Sequence, residues 1–375
     1  MRDLLNRADL DRYAGQFVWL ELNYDTPKNQ AFLARYGVSA TPTHLVIDPR
    51  DESVVEMRTG AMSLEGMESF LDHGVARTAT REQSTADVAL KDGDALRASR
   101  PGDAVAAYRR ALSIAPANWP DRELAEGLLV SALGETSEWQ ECAQTAAGYA
   151  PQMSRGRDMF AQTVINGLWC LLPGKTADWT TAAEDSLRPL AEEALSLPTT
   201  VRDHRNELYR RLMLIAVAHH DNEAAVKWGD RWLAELDAIK PASDDERSAL
   251  DIARVENIQA YGDATRILPA LLESESAMPN SYVASLRLAQ AEILAKRYNE
   301  AVAAIDRGLA RKPGALGKTW LLEMKSETLS EQGNAREARR VLQTALEASR
   351  QIPTPESRQN AAERITKQLN ATVQH

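Results

Sequence analysis

Four stretches of this chain repeat one spacing, and that spacing limits the folds open to it. PGDAVAAYRRALSIAP (101–116), EWQECAQTAAGYAP (138–151), KRYNEAVAAIDRGLARKP (296–313) and GNAREARRVLQTALEAS (333–349) align on small residues. Ala104, Cys142, Ala301 and Ala338 hold the first place, and Tyr108, Ala146, Ile305 and Leu342 follow four residues on. Ala111, Gly308 and Ala345 come three residues later in three of the copies, and Pro116 and Pro313 close two of them. Residues at these separations share one helix face. A face of small residues lets a second helix approach closely. The steps from Ala104 to Cys142 and from Ala301 to Ala338 are 38 and 37 residues, the length of a helical hairpin. One hairpin cannot bury its apolar face alone, so the copies must stack. From Thr85 onward nearly every segment reads as helix. Weaker units over 160–198 and 207–236, the latter with Ala225, Trp228 and Trp232, extend the series.

The pattern resembles the tetratricopeptide repeat (TPR), over roughly residues 85–350. The resemblance implies an all-α solenoid whose first helices line a groove for a protein or peptide partner. The steps here exceed that family's period of about 34 residues, which implies longer turns. Members that clamp chaperone C-termini use Lys and Asn on the first helices. Lys91 is the one matching residue, and no Asn occurs in 85–98 or 123–137, so that specificity is not carried over.

Residues 1–76 read as a different, α/β module, joined by a polar linker (77–84) to a helical array over 85–372. Phe17–Leu22 is a β-prone run. Thr26-Pro27 starts a helix carrying Ala31, Phe32, Ala34, Arg35 and Tyr36, which stops at Gly37. Thr41-Pro42 precedes a strand over His44–Ile47. Pro49–Glu52 turns into a second strand, Val54–Arg58, in hairpin pairing. Gly60 ends it, Ser63 caps a last helix with Leu64, Met67, Phe70 and Leu71, and Gly74 closes that helix.

This order, with Gly37–Thr43 leading through Pro42 into an apolar strand, resembles the C-terminal two-thirds of a thioredoxin fold. The resemblance implies a cis bond before Pro42, with Thr41 offering its backbone to an extended substrate chain. The family's chemistry needs Cys-x-x-Cys at a helix N-terminus, and this chain has none. Met1–Leu5 resemble the remainder of that helix, and the strand before it is missing. Without that strand two inner strands lose their partner, and each buried unpaired group costs ~1–3 kcal/mol. The expectation is that the natural polypeptide begins upstream of Met1 and there supplies strand and cysteine pair. The competing reading is a degenerate module whose strands pair directly or borrow a strand from a partner.

Net charge is -10 with a pI of about 5.3, which disfavours nucleic acid and anionic membranes as partners. No run is long and apolar enough to span a bilayer, and no secretory signal opens the chain. The compartment expected from the chain as it stands is cytoplasm, and periplasm if a leader lies upstream. Cys142 is expected as a packing thiol and Cys170 as core; nothing in their spacing supports a bond between them. Gly174-Lys175-Thr176 and Gly317-Lys318-Thr319 lack the earlier glycine and strand of a phosphate loop. His219-His220-Asp221 reads as a helix end, His44 and His204 as isolated, and Asp244-Asp245-Glu246 as a loop or helix start. Trp119, Trp139, Trp169, Trp179, Trp228, Trp232 and Trp320 read mostly as inter-repeat core. No cofactor, metal or catalytic set is expected. The combined reading is a redox-inactive protein-interaction protein. A thiol–disulfide oxidoreductase with its cysteines upstream is the alternative, and an oligomerising scaffold the weaker one.

Overall fold

The structure is a computed structural model, and it describes residues 8–371 apart from 25, 37, 39–40, 51, 53, 60–61, 63, 80–83, 98, 156–157, 175–177 and 261. The readings placed on Met1–Leu5, Gly37, Gly60, Ser63, Lys175 and Thr176 lie outside these residues. The chain forms two compact units, Met1–Asp221 and Asn222–His375.

The first unit opens with a 3-10 turn, Ala8–Tyr13, and a second one at Pro27–Asn29 that leads into α1, Gln30–Arg35. Strands β1 (Thr43–Ile47) and β2 (Val54–Thr59) pair antiparallel, with Thr43 opposite Thr59 and Val46 opposite Glu56. The register shifts between Val46 and Ile47. Helix α2, Leu64–Ala79, packs on β2. Leu10, Tyr13, Val46, Val55, Met62, Met67, Phe70 and Leu71 form the core beneath it. The Thr41–Pro42 peptide is cis.

Three expectations for this region change. The sheet has two strands among the described residues, so a full thioredoxin sheet is not shown. Phe17–Leu22 has no regular secondary structure and joins no ladder among the described residues. β-propensity measures fit to a pleated, partnered surface, and no strand pairs with this run among the described residues. Gly74 does not end α2. A Cβ there would lie 3.0 Å from both Val46 methyls, so the glycine lets the helix cross close over β1. Residues 77–79 of the expected linker are therefore helical.

Seven helices complete the unit: α3 (Thr85–Arg97), α4 (Pro101–Ile114), α5 (Arg122–Glu135), α6 (Trp139–Tyr149), α7 (Asp158–Leu171), α8 (Asp178–Ser196) and α9 (Arg202–Ala218). Sequential neighbours pack as hairpins. The first helices α5, α7 and α9 lie side by side, and so do the second helices α6 and α8. The small-residue places carry this packing. Ala104, Tyr108, Ala111 and Cys142 are wholly buried. Tyr108 lies over Gly93 of α3, where a Cβ would come within 2.5 Å of the ring, and donates to the Asp94 carboxylate at 2.8 Å. Cys142 is not a thiol: it is disulfide-bonded to Cys170 of α7, correcting the packing-thiol reading. The small-residue face of α6 brings the next first helix close enough for a bond that spacing alone could not reveal.

The second unit is all helix: α10 (Asn222–Ala238), α11 (Asp244–Ala260), α12 (Leu268–Ala277), α13 (Tyr282–Leu294), α14 (Tyr298–Ala310), α15 (Ala315–Glu331), α16 (Ala335–Ser349) and α17 (Pro355–Ala371). Here α11, α13 and α15 are the adjacent first helices, and α17 packs on α16. Ala301, Ile305, Gly308, Ala338, Leu342 and Ala345 are all buried. Gly308 shows why the place must stay small: a Cβ would meet Ser285 of α13 and Leu321 of α15, both at 3.2 Å. One residue of a second helix thus touches the first helix of its own hairpin and of the next. The fold is a mostly α, TPR-like helical repeat with one two-stranded hairpin. Among the described residues no helix is long and apolar enough to cross a membrane.

Candidate functional site

The repeat positions are interior and build the array. Any surface for contact lies in what the packing leaves outside. In the first unit the largest such feature is the segment after the 3-10 turn. Tyr13 anchors its base: the hydroxyl donates to the Asp72 carboxylate at 2.7 Å, and the ring meets Phe17 edge-on at 6.1 Å. Phe17 packs against the core, and Trp19 lies 6.0 Å from it between ring centroids. Beyond Phe17 the chain leaves the core. Val18 is 89% exposed, Trp19 48%, Leu20 76% and Leu22 40%. The far end is pinned again, where Asn29 and Gln30 donate side-chain amides to the carbonyls of Asn23 and Tyr24 at 2.8 Å each. An apolar run is therefore held at both ends with its apolar side chains left open to solvent. Thr41 is exposed and Pro42 half-buried, at the entry to β1.

The second unit presents Trp320, 45% exposed on α15, and Leu294, 41% exposed at the end of α13. The other tryptophans are at least half covered. Trp119 is buried and donates to Asp87 at 2.7 Å, Trp139 and Trp169 meet edge to face at 5.2 Å, and Arg231 covers Trp228. Lys91 lies near the carboxylate of Asp48, which Arg50 holds down at about 2.

The remaining sequence candidates resolve into structure. Gly317 lies inside α15, where a Cβ would come within 2.6 Å of the Tyr282 ring; it serves close helix packing and no phosphate loop. His219 caps α9, and its Nε2 lies 2.8 Å from Glu184. The two border a polar cleft of about 270 Å³ with Thr181, Asp185 and Arg188. Asp244–Glu246 form the first turn of α11, with Ser243 accepting from the Glu246 N–H at 3.2 Å. His204 is buried, and desolvation pulls its imidazole down to about 4.

One grouping is not legible in the sequence. Glu56 of β2, His73 of α2 and Asp121 at the head of α5 converge, with one potential ligand atom from each within 4.8 Å of the others. Their separation along the chain gives no local motif; only the packing of the hairpin, α2 and the α4–α5 turn brings them together.

No protein-family model matches the sequence, and no curated protein matches it. Among solved structures the chain is similar to a tetratricopeptide repeat protein from Parabacteroides merdae. That match has 12% identity and a TM-score of 0.41, and covers 75% of this chain and 98% of that one. It is also similar to the TPR2AB-domain:pHSP90 complex of yeast Sti1, with 12% identity and a TM-score of 0.30, over 77% and 98% of the respective chains. At these scores the repeat assignment rests on the helical hairpins themselves.

Proposed function

We propose that the chain is a protein-interaction protein that takes hold of an extended polypeptide segment of its partner. In this reading residues 1–76 are a thioredoxin-like module without redox cysteines, whose last helix runs on to Ala79 into the 77–84 join, and 85–372 a TPR-like array giving a second protein-binding surface. The observation that carries the reading is the exposed run Val18–Leu22, apolar, outside any helix or strand and pinned at both ends. Such a run is a template for strand addition, in which main-chain bonds supply affinity and side-chain contacts supply selectivity. Monomeric proteins seldom leave apolar patches of this kind without a use. Thr41 and Pro42 form a docking turn in this reading, and Trp320 is the anchor offered by the array. The Cys142–Cys170 bond supports residence in an oxidising compartment, where disulfides persist.

The test is an array of ten-residue peptides with alternating apolar and polar residues, probed with the full chain and with the variant Trp19→Ser/Leu20→Ser. Both side chains are exposed, so the variant keeps its circular dichroism and thermal midpoint. The expected outcome is a set of bound peptides that the variant binds at least about tenfold more weakly, ~1.4 kcal/mol. Peptides bound equally by both proteins, or by neither, overturn the reading. If the substitutions instead convert a dimer to a monomer in sedimentation, a second copy of this chain is the occupant and the scaffold reading replaces it.

A further inference from the structure

The convergence of Glu56, His73 and Asp121 has the composition of a metal site. Glu56 stands opposite Val46 in the hairpin, on the face that enters the core, and is 2% exposed. A carboxylate there is costly unless charge surrounds it. Arg58 supplies a positive charge, its Nε donating to Oε1 at 3.2 Å. A carboxylate has two oxygens and can serve a guanidinium and a cation together. Asp121 is 6% exposed and stands at the N-cap of α5. His73 lies on the α2 turn that follows Phe70, and its Nδ1 is enclosed without a hydrogen-bond partner.

We propose that Glu56, His73 and Asp121 bind a divalent transition-metal ion, Zn²⁺ first among them, which clasps the β1–β2 hairpin and α2 to the head of α5. Three atoms all within 4.8 Å of one another share a point about 2.8 Å or less from each. Bonds from Zn²⁺ to imidazole nitrogen or carboxylate oxygen are ~2.0–2.2 Å, so shifts of under about 1 Å in three side chains close the site. One imidazole and two carboxylates are a borderline donor set. It suits Zn²⁺ or Mn²⁺ better than Mg²⁺ and Ca²⁺, which take oxygen alone. Water completes the coordination. The three ligands come from three elements that meet only in the folded chain, so the ion binds the native state and stabilises it by mass action.

The experiment uses the full chain, stripped with chelator and dialysed, and titrated with Zn²⁺ against a chromophoric competitor. Co²⁺ replaces Zn²⁺ in a parallel titration read by its visible absorption. One equivalent of Zn²⁺ is expected per chain, with a rise in thermal midpoint that chelator reverses. His73→Ala is expected to bind at least about tenfold more weakly, since even partners of metal ligands are worth that much. It should also lose the Co²⁺ spectrum and the thermal rise. Asp121→Asn keeps the side chain's shape and is expected to behave alike, so the test still decides if His73→Ala misfolds. The proposal is overturned if no stoichiometric binding occurs with any of these ions, or if both variants bind as the parent does.

Discussion

His204 sits in α9 with its Nδ1 enclosed and without a hydrogen-bond partner. Burial pulls its imidazole down to about 4, and the nearby Glu207 carboxylate offsets only part of that. The unfolded chain titrates near 6.5. Below that pH the unfolded state takes up a proton that the fold refuses, so stability falls as pH drops from about 6.5 to 4. The whole shift is worth about 3 kcal/mol at ~1.4 kcal/mol per unit. Glu126 works in the opposite sense. Burial raises its carboxyl to about 7, so the fold gains stability relative to the unfolded chain as pH falls from about 7 toward 4.5. Comparing His204→Leu with the parent in urea unfolding at pH 7 and pH 4.5 isolates the imidazole. The parent should lose more stability than the variant over that interval. Equal losses would place the proton on His204 in both states.

At the scale of elements, the disulfide replaces packing with a covalent staple between α6 and α7. It closes a segment of 28 residues, for which loop entropy gives about 3–4 kcal/mol. The other copies of the repeat hold Ala104, Ala301 and Ala338 at the place of Cys142, all of them buried. Alanine therefore fits, and Cys142→Ala/Cys170→Ala removes the staple while keeping the small face. This variant should unfold at lower urea, by about 2–4 kcal/mol, with no change in helix content. Two free thiols in the denatured, unreduced parent would contradict it. The same elements show what the sequence carries and what it hides. α4, α6, α14 and α16 are legible because small residues at helical spacing are a local signal. Phe17–Leu22 reads as a strand because β-propensity says that a run suits one, while the existence of a partner strand is a tertiary fact. Gly74 misleads because glycine marks both a helix end and a close crossing, and only Val46 distinguishes them. The Cys142–Cys170 bond and the Glu56–His73–Asp121 convergence join residues distant in sequence, where no periodicity reaches.

For the whole molecule, the question is whether a module resembling a redox fold can act on disulfides in this chain. Disulfide exchange requires a thiolate that solvent and substrate can reach, with its pKa lowered by a helix N-terminus or a nearby cation. The two cysteines of the sequence satisfy none of this: both are 0% exposed, bonded to each other, and set within α6 and α7. Releasing a thiolate from them would require opening helices whose Ala143, Ala146 and Leu168 are wholly buried. The run Val18–Leu22 and the Thr41–Pro42 turn, by contrast, are accessible but contain no sulfur. On the proposed reading, the surface offered to an extended chain carries no cysteine, while the cysteine pair is enclosed. The full chain should not accelerate insulin reduction by dithiothreitol above the uncatalysed rate. Cys142→Ala/Cys170→Ala should match the parent in that assay. Turnover that the parent shows and the double variant lacks would mean that the α6–α7 bond opens in solution, and the enclosure of the cysteine pair would fail with it.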